Sequence, residues 1–514
     1  MDSRLTRRLG LRTNPVTFFT SAILTVAFIA LAVAFTEPVA AFFSTASEKV
    51  LETTGWFYIL GVTTFVGFLL YVAISRHGKI RLGADNERPK YSDPVWFAML
   101  FAAGIGTILM FWGVAEPISH FATPPIDGVE PGSPEAAEQA ISFALYHFGL
   151  HTWAIFGLPA LGFAYFTYRR GLPMRVSSVL YPLLGEKVRG PIGNAVDIAA
   201  VLGTIFGVAT SLGLGTLQIN SGLSYLSPIP DGSLPVQVGL LAVITLIALV
   251  SVALGLDAGI RRLSTINIVM AVGLLVFVLF AGPTVMLLRG IVESMGLYLD
   301  TLPRLAFWND TLRDTGWQGS WTVFYWAWTI TWAPFVGIFI ARISRGRTIR
   351  EFVLGLMLLP TLFTIIWFST FGLTAIDIDI ASGGAMSKAV AENVPQALFL
   401  LLEEFPWAMA ISALSVLIVV IFFTTSADSA ALVIDMLASS DVTDNPPTRQ
   451  RVFWAISLGV VAATLLATGG LEALQATITV IGMPFFLLGM VIVYSIARGL
   501  KEDEARRLRE GASR

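Results

Sequence analysis

Long apolar runs are the feature that most limits the folds open to this chain of 514 residues. Lipid offers no hydrogen-bond partners, so a spanning segment must pair its own backbone groups as a helix. Because a helix needs about 20 residues to cross a bilayer, the runs predict an all-α integral membrane protein with about 12 transmembrane helices. The runs lie at 15–36, 56–75, 94–116, 142–168, 194–222, 235–256, 264–288, 320–341, 351–374, 408–437, 451–468 and 475–497.

Composition excludes several classes of protein. Charged residues make up 13% of the chain, whereas soluble proteins carry about 25%. The net charge of −2 gives no reason to expect a nucleic-acid partner. The chain has no cysteine, and its four histidines (His77, His120, His147 and His151) are scattered, so we predict no metal centre and no cofactor. Neither an HExxH motif nor a P-loop occurs, which argues against an enzyme or a primary pump.

Basic residues are distributed unevenly around the predicted spans. Of the 33 lysine and arginine residues, 28 fall in the two terminal tails and in the loops on the same side. Cytoplasmic loops of membrane proteins carry such an excess. We therefore predict a multi-pass protein of the cell membrane with both termini in the cytoplasm.

An aromatic stretch, WTVFYWAWTITWAPF, lies within the eighth run. Trp328 and Trp332 are four residues apart and share a helix face, while Trp326 points elsewhere. Aromatic faces attract a poorly hydrated positive head, such as a quaternary ammonium, by cation–π interaction. The stretch predicts a site for a small cationic or zwitterionic solute. A packed aromatic interface between helices is the alternative.

The third run contains glycines in its middle, within FAAGIGTILMFWG. Gly104 and Gly106 each cost about 1 kcal/mol relative to alanine inside a helix. They allow the helix to unwind and to turn its backbone groups toward a ligand. Close packing between helices, which glycine also permits, is the alternative.

The tenth run contains a polar cluster, FFTTSADSA. Thr425 and Ser426 offer two hydroxyl groups without a nearby lysine or arginine, which suits a hard cation such as sodium. Hydroxyl groups that bond back to their own helix are the alternative. Asp428 is a third signal, because an ionisable residue within a span is often functional. Structural pairing near the end of the span is its alternative.

The glycine-interrupted run and the hydroxyl-rich run lie in different halves of the chain. Inverted-repeat transporters have this arrangement, with the ligand between the repeats. We therefore predict two repeats preceded by two peripheral helices. The predicted segments are 1–14 (cytoplasmic tail), 15–93 (peripheral helices and loop), 94–289 (first repeat), 290–316 (external amphipathic segment), 317–497 (second repeat) and 498–514 (short cytoplasmic tail).

Four stretches together carry a resemblance to a known family. They are FAAGIGTILMFWGVAEP, ATSLGLGTLQINSGL, WTVFYWAWTITWAPFVGIFIARISRGRTIREFVLG and FFTTSADSA. They closely resemble the betaine/choline/carnitine transporters, and the resemblance runs from about residue 15 to 497. It implies a leucine-transporter-like fold of two inverted five-helix repeats, usually a homotrimer in the bilayer. It also implies secondary transport of trimethylammonium compounds and related osmolytes.

The resemblance implies a sodium site between the glycine-interrupted third run and the hydroxyl-rich tenth run. Its ligands would be the carbonyls of Ala102, Ile105 and Phe422 and the hydroxyls of Thr425 and Ser426.

A second ion in some members uses positions that correspond here to Thr204, Val208 and Phe335. Val208 lacks the hydroxyl, so one sodium is predicted. Ile108 stands where proton-coupled choline members carry an aspartate, which argues against that proton route.

The resemblance also implies an aromatic cage for the solute. Phe156 stands where a tyrosine is usual, and Thr329 where a tryptophan is usual. Thr329 adds space and a hydroxyl group, which favours a bulkier or more polar solute. The predicted solute-binding residues are Phe148, Trp153, Phe156, Gly104, Ile105, Gly106, Phe324, Trp326, Trp328, Thr329 and Trp332.

The leading functional prediction is a sodium-coupled importer of a compatible solute such as glycine betaine, choline, carnitine or ectoine. One alternative is a sodium-independent exchanger or uniporter with the same fold. Another is a carrier of a non-quaternary osmolyte such as ectoine, a sulfonium compound or taurine.

Overall fold

The computed structural model describes residues 11–102, 106–254, 257–313, 315–439 and 447–512. Within these ranges the chain is helical, and its one β-bridge joins Arg81 to Thr348. The α-helices of seven residues or more are α1 Pro15–Ala34, α2 Thr36–Ile74, α3 Asp93–Ala102, α4 Gly106–Ala122, α5 Pro134–Phe148, α6 Leu150–Ala164, α7 Pro191–Leu226, α8 Leu234–Leu254, α9 Asp257–Ala281, α10 Thr284–Leu305, α11 Phe324–Ile343, α12 Ile349–Ala381, α13 Ala385–Glu392, α14 Ala397–Glu403, α15 Ala408–Ala438 and α16 Thr448–Ala512.

Every predicted apolar run overlaps a helix. Some runs are divided between two helices, however, and the last two runs share one helix. Among the described residues, 9 helices are long and apolar enough to cross a membrane. The runs 94–116 and 142–168 are each divided between two shorter helices, α3 with α4 and α5 with α6. The last two runs share α16, which bends at Gly469 and Gly470. The all-helical membrane class is confirmed, whereas twelve crossings and the inverted repeats remain predictions.

The seventh apolar run is divided between two helices. The seventh run was expected to continue to residue 288, but α9 ends at Ala281 and α10 begins at Thr284. Gly282 and Pro283 lie between them, and proline cannot donate the backbone hydrogen bond that would continue the helix. The amphipathic segment therefore starts before residue 290. Its buried residues are Leu287, Ile291, Ser294, Tyr298 and Leu305, which share one face of α10.

Helices α11 and α7 form the centre of the molecule. The apolar window of the segment Gly319–Ile343 is 94% buried and that of α7 is 83% buried, against 28% for α8. Small residues permit this packing. A Cβ atom at Gly207 would lie 2.8 Å from Cδ1 of Trp332, so glycine allows α7 to approach α11 closely. The site predicted from the aromatic stretch is thus on the most enclosed of the nine described helices that are long enough to cross a membrane.

The C-terminal end of α16 packs against basic residues at the end of the fourth run. Arg169 pairs with the buried Asp503 at 3.0 Å, and Arg170 pairs with Glu502 at 3.0 Å. Asp428 also has a basic neighbour, because Arg451 Nη2 lies 3.5 Å from its carboxylate. This ion pair agrees with the alternative in which Asp428 pairs structurally near the end of its span.

Candidate functional site

A large cavity of about 1280 Å³ lies among the central helices. Its walls combine aromatic rings with hydroxyl groups. The aromatic side chains in the lining include Phe156, Trp328, Trp332 and Phe335, and the hydroxyl-bearing ones include Ser211, Thr329, Thr425 and Ser426. Residues of both the predicted solute site and the predicted sodium site therefore line the same cavity.

Helix α11 supplies the tryptophan wall. Trp328 and Trp332 both line the cavity, as expected for residues four apart on a helix. The indole Nε1 of Trp328 donates to Ser211 Oγ at 2.9 Å, and Phe324 stacks on the ring at 6.0 Å between centroids. Trp332 packs edge-to-face on Phe335, with centroids 5.5 Å apart. These contacts hold both rings in fixed orientations.

Helix α6 contributes Phe156 to the cavity lining, and Trp153 packs against this ring. The two rings meet edge-to-face with centroids 5.8 Å apart, and of the two only Phe156 is among the lining residues. Thr329 also lines the cavity, and its hydroxyl donates to the Tyr325 carbonyl at 2.7 Å. A position where the resemblance expects an indole thus presents a small side chain.

Other residues predicted for the cage lie outside its lining. Trp326 is fully buried and stacks on His151, with centroids 5.3 Å apart and planes at 6°. Phe148 stacks on Phe368 at 5.1 Å. Gly104 and Ile105 lie outside the described residues, whereas Gly106 lines the cavity.

The hydroxyl cluster on α15 lies on the same cavity. Thr425 and Ser426 are half-buried lining residues. The Thr425 hydroxyl donates to the Phe422 carbonyl at 3.0 Å, which leaves its oxygen lone pairs as acceptors. A Cβ atom at Gly106 would overlap the Phe422 ring, so this glycine is required for α4 to approach α15. Of the other predicted ligands, Ala102 ends α3 and Ile105 lies outside the described residues.

The residues at which the resemblance implies a second ion have different surroundings from those of the hydroxyl cluster. Thr204 is fully buried and donates to the Ala200 carbonyl at 2.8 Å within α7. Val208 is buried one turn later, and Phe335 lines the cavity. Thr204 therefore uses its hydroxyl inside its own helix.

The prediction that the histidines are scattered is wrong for two of them. His120 and His147 both lie close to the carboxyl group of Glu116, at 3.3 Å and 2.6 Å. Glu116 and His120 are separated by one helical turn, and an acidic residue within an apolar run was the available signal. The contact with His147 comes from α5 and depends on tertiary packing.

Comparison with known proteins agrees with this architecture. A profile of the family described as BCCT, the betaine/carnitine/choline family transporters, matches residues 16–505. The match covers both the aromatic wall and the hydroxyl cluster.

Individual relatives are similar over nearly the whole chain. The ectoine/glycine betaine/proline transporter EctP of Corynebacterium glutamicum is 46% identical, with 96% of this chain and 81% of the relative covered. A glycine betaine transporter of Acinetobacter baylyi is 41% identical, with coverages of 98% and 76%. The high-affinity choline transport protein of Escherichia coli is also 41% identical, with coverages of 98% and 74%. These relatives are transporters and not enzymes, and the chain belongs to the betaine/carnitine/choline transporter family.

Proposed function

We propose that the chain is a sodium-coupled secondary importer of betaine-type compatible solutes. The observation that carries the proposal is the shared cavity, which has two tryptophan rings on α11 and two hydroxyl groups on α15 among its walls. A quaternary ammonium head would lie against Trp328 and Trp332, with Phe156 on the other wall. Cation–π attraction of this kind contributes about 0.5–2 kcal/mol for a ring that is shielded from water.

The coupling ion would bind at the hydroxyl cluster. Thr425 and Ser426 would supply side-chain oxygens, and the carbonyls of Ala102, Ile105 and Phe422 would complete the set. A hard cation prefers oxygen ligands of this type. The bond from Thr425 to its own helix leaves that oxygen available as a ligand.

An exchange-only carrier is the alternative, because a hydroxyl bonded to its own helix needs no ion. Solute counterflow into proteoliposomes separates the two functions. An exchanger catalyses counterflow equally well with sodium or potassium on both sides. The proposed symporter requires sodium for it.

The range of solutes is proposed to be broad. Thr329 leaves space and a hydroxyl group where a closed cage would have an indole. The name of the Corynebacterium relative includes ectoine and proline as well as glycine betaine. We propose ectoine, glycine betaine and proline as the first solutes to test, followed by choline, carnitine, taurine and a sulfonium compound.

Closing the cage should narrow this range. We expect Thr329→Trp to raise the preference for glycine betaine over ectoine by about 2- to 30-fold, since an added ring contributes about 0.5–2 kcal/mol to a cationic head. Competition between the two labelled solutes for uptake measures this ratio. Thr329→Ser keeps the hydroxyl and the space and should leave the ratio unchanged. An unchanged ratio in Thr329→Trp would remove Thr329 from the solute site.

One sodium ion should accompany each solute molecule. Val208 has no oxygen in its side chain, and the Thr204 hydroxyl bonds within α7. The sodium-to-solute flux ratio in proteoliposomes should therefore be close to 1:1. A ratio of 2:1 would require a second site that includes other oxygens.

The assembly and orientation follow from the family and from the charge bias. We propose a homotrimer with both termini in the cytoplasm, since 28 of the 33 basic residues lie on that side of the predicted spans.

A further inference from the structure

Glu116, His147 and Thr322 form a buried chain of hydrogen bonds between three helical segments. Nδ1 of His147 lies 2.6 Å from Glu116 Oε1, and Nε2 of the same ring lies 2.8 Å from Thr322 Oγ1. The three side chains are fully buried. With Glu116 ionised, Nδ1–H donates to the carboxylate, and Nε2 accepts from the Thr322 hydroxyl.

The short distance identifies a hydrogen bond, although a carboxylate beside two imidazoles also resembles a metal site. Two ligands of one zinc ion at about 2.0–2.1 Å in tetrahedral geometry would be about 3.3 Å apart. The separation of 2.6 Å is shorter and is typical of a charge-assisted hydrogen bond. The other ring nitrogen of His147, Nε2, is hydrogen-bonded to the Thr322 hydroxyl.

The three hydrogen-bonded residues do not line the cavity: they lie near the N-terminal end of α11, whereas basic residues line the cavity near the C-terminal end of that helix. Lys90 and Arg345 line the cavity and are exposed. Thr322 lies in the turn Gly319–Val323 that continues into α11, and Arg342 lies in the last turn of that helix. At 1.5 Å per residue the two are about 30 Å apart, with Trp328 between them.

Aromatic rings fill the space around the hydrogen-bonded chain. His147 stacks on Trp317 at 5.8 Å, and His120 meets Trp321 at 4.6 Å. Trp112 packs on Trp321 at 5.8 Å. The exposed basic residues that line the cavity and the ring-filled space around the hydrogen bonds therefore lie toward opposite ends of α11.

We propose that Glu116, His147 and Thr322 form a latch that closes the non-basic end of the transport path. Glu116 and His147 belong to the first half of the chain, and Thr322 lies in a π-helical turn, Gly319–Val323, at the start of the second. Opening this end separates the halves and breaks the bond to Thr322. The latch rests on the transport role proposed above, but it requires no particular solute or ion.

The absence of cysteine from the chain makes a direct test available. Thr329→Cys would place a reporter thiol on the cavity, seven residues and about 10 Å along the helix from Thr322. A membrane-impermeant maleimide is applied from the non-basic side, without solute or sodium. We expect Thr322→Val to raise the labelling rate about 5- to 150-fold, since an unpaired buried acceptor costs the closed state about 1–3 kcal/mol.

Two further variants separate the latch from a general loss of packing. Thr322→Ser keeps the hydroxyl and should label at the parent rate. Ser320→Ala removes a hydroxyl from the same turn whose bond is to Gly316, and it should also label at the parent rate.

If Thr322→Val does not fold, His147→Phe, which removes both hydrogen bonds and keeps a ring, is measured in the same way and should also increase labelling. A rate unchanged in the folded latch variants would overturn the proposal, as would an equal increase in Ser320→Ala. Because no sodium or solute is present, failure of the latch is distinguishable from failure of sodium coupling.

Discussion

Replacement of Trp328 with leucine should weaken solute binding by about 5- to 30-fold, equivalent to about 1–2 kcal/mol. The ring lines the cavity, and Ser211 and Phe324 fix its orientation, so its face is available without further ordering. Binding of glycine betaine measured by tryptophan fluorescence or calorimetry gives the dissociation constant.

Two control variants test the reason for this effect. Trp328→Phe keeps an aromatic face and should retain most of the affinity. Trp407→Leu changes a tryptophan that is 75% exposed, and it should have no effect. Unchanged affinity in Trp328→Leu would mean that the tryptophans of α11 serve helix packing and not solute binding.

The double variant Thr425→Ala/Ser426→Ala should raise the sodium concentration for half-maximal uptake at least about tenfold, or abolish uptake. Each lost oxygen removes an interaction with a charged partner, and such interactions contribute about 1.5–3 kcal/mol. Initial uptake rates across a sodium titration measure the effect.

Thr424→Ala provides the matched control. Thr424 is the preceding hydroxyl on α15, and it donates to the Val420 carbonyl at 2.9 Å. It is not among the residues that line the cavity. Its removal should leave the sodium titration unchanged, and an equal effect of both variants would point to helix stability as the cause.

The helical membrane class could be predicted from the sequence because it depends on local properties. Apolar runs and their lengths determine which segments can be buried in lipid, and all of the runs fall on helices. The break between α5 and α6 depends on a distant partner. At Gly149 a Cβ atom would meet the Tyr298 hydroxyl, and that hydroxyl accepts from Leu150 N at 2.9 Å. No local pattern contains this contact.

The candidate site could likewise be predicted where it depends on spacing along one helix, but not where it depends on contacts between helices. The spacing of Trp328 and Trp332 places both on one helix face, and both line the cavity. Their neighbours across the cavity come from other helices, so the bond from Trp328 to Ser211 could not be predicted from spacing. Glu116 and His147 are 31 positions apart, and only packing brings them together.

The most direct test of the central claim is accumulation of glycine betaine in proteoliposomes with a sodium gradient as the only driving force. The proposed mechanism predicts that an inward sodium gradient drives the internal solute concentration above the external one. It also predicts that collapse of the gradient with a sodium ionophore releases the solute. Equal accumulation with potassium in place of sodium would contradict the account.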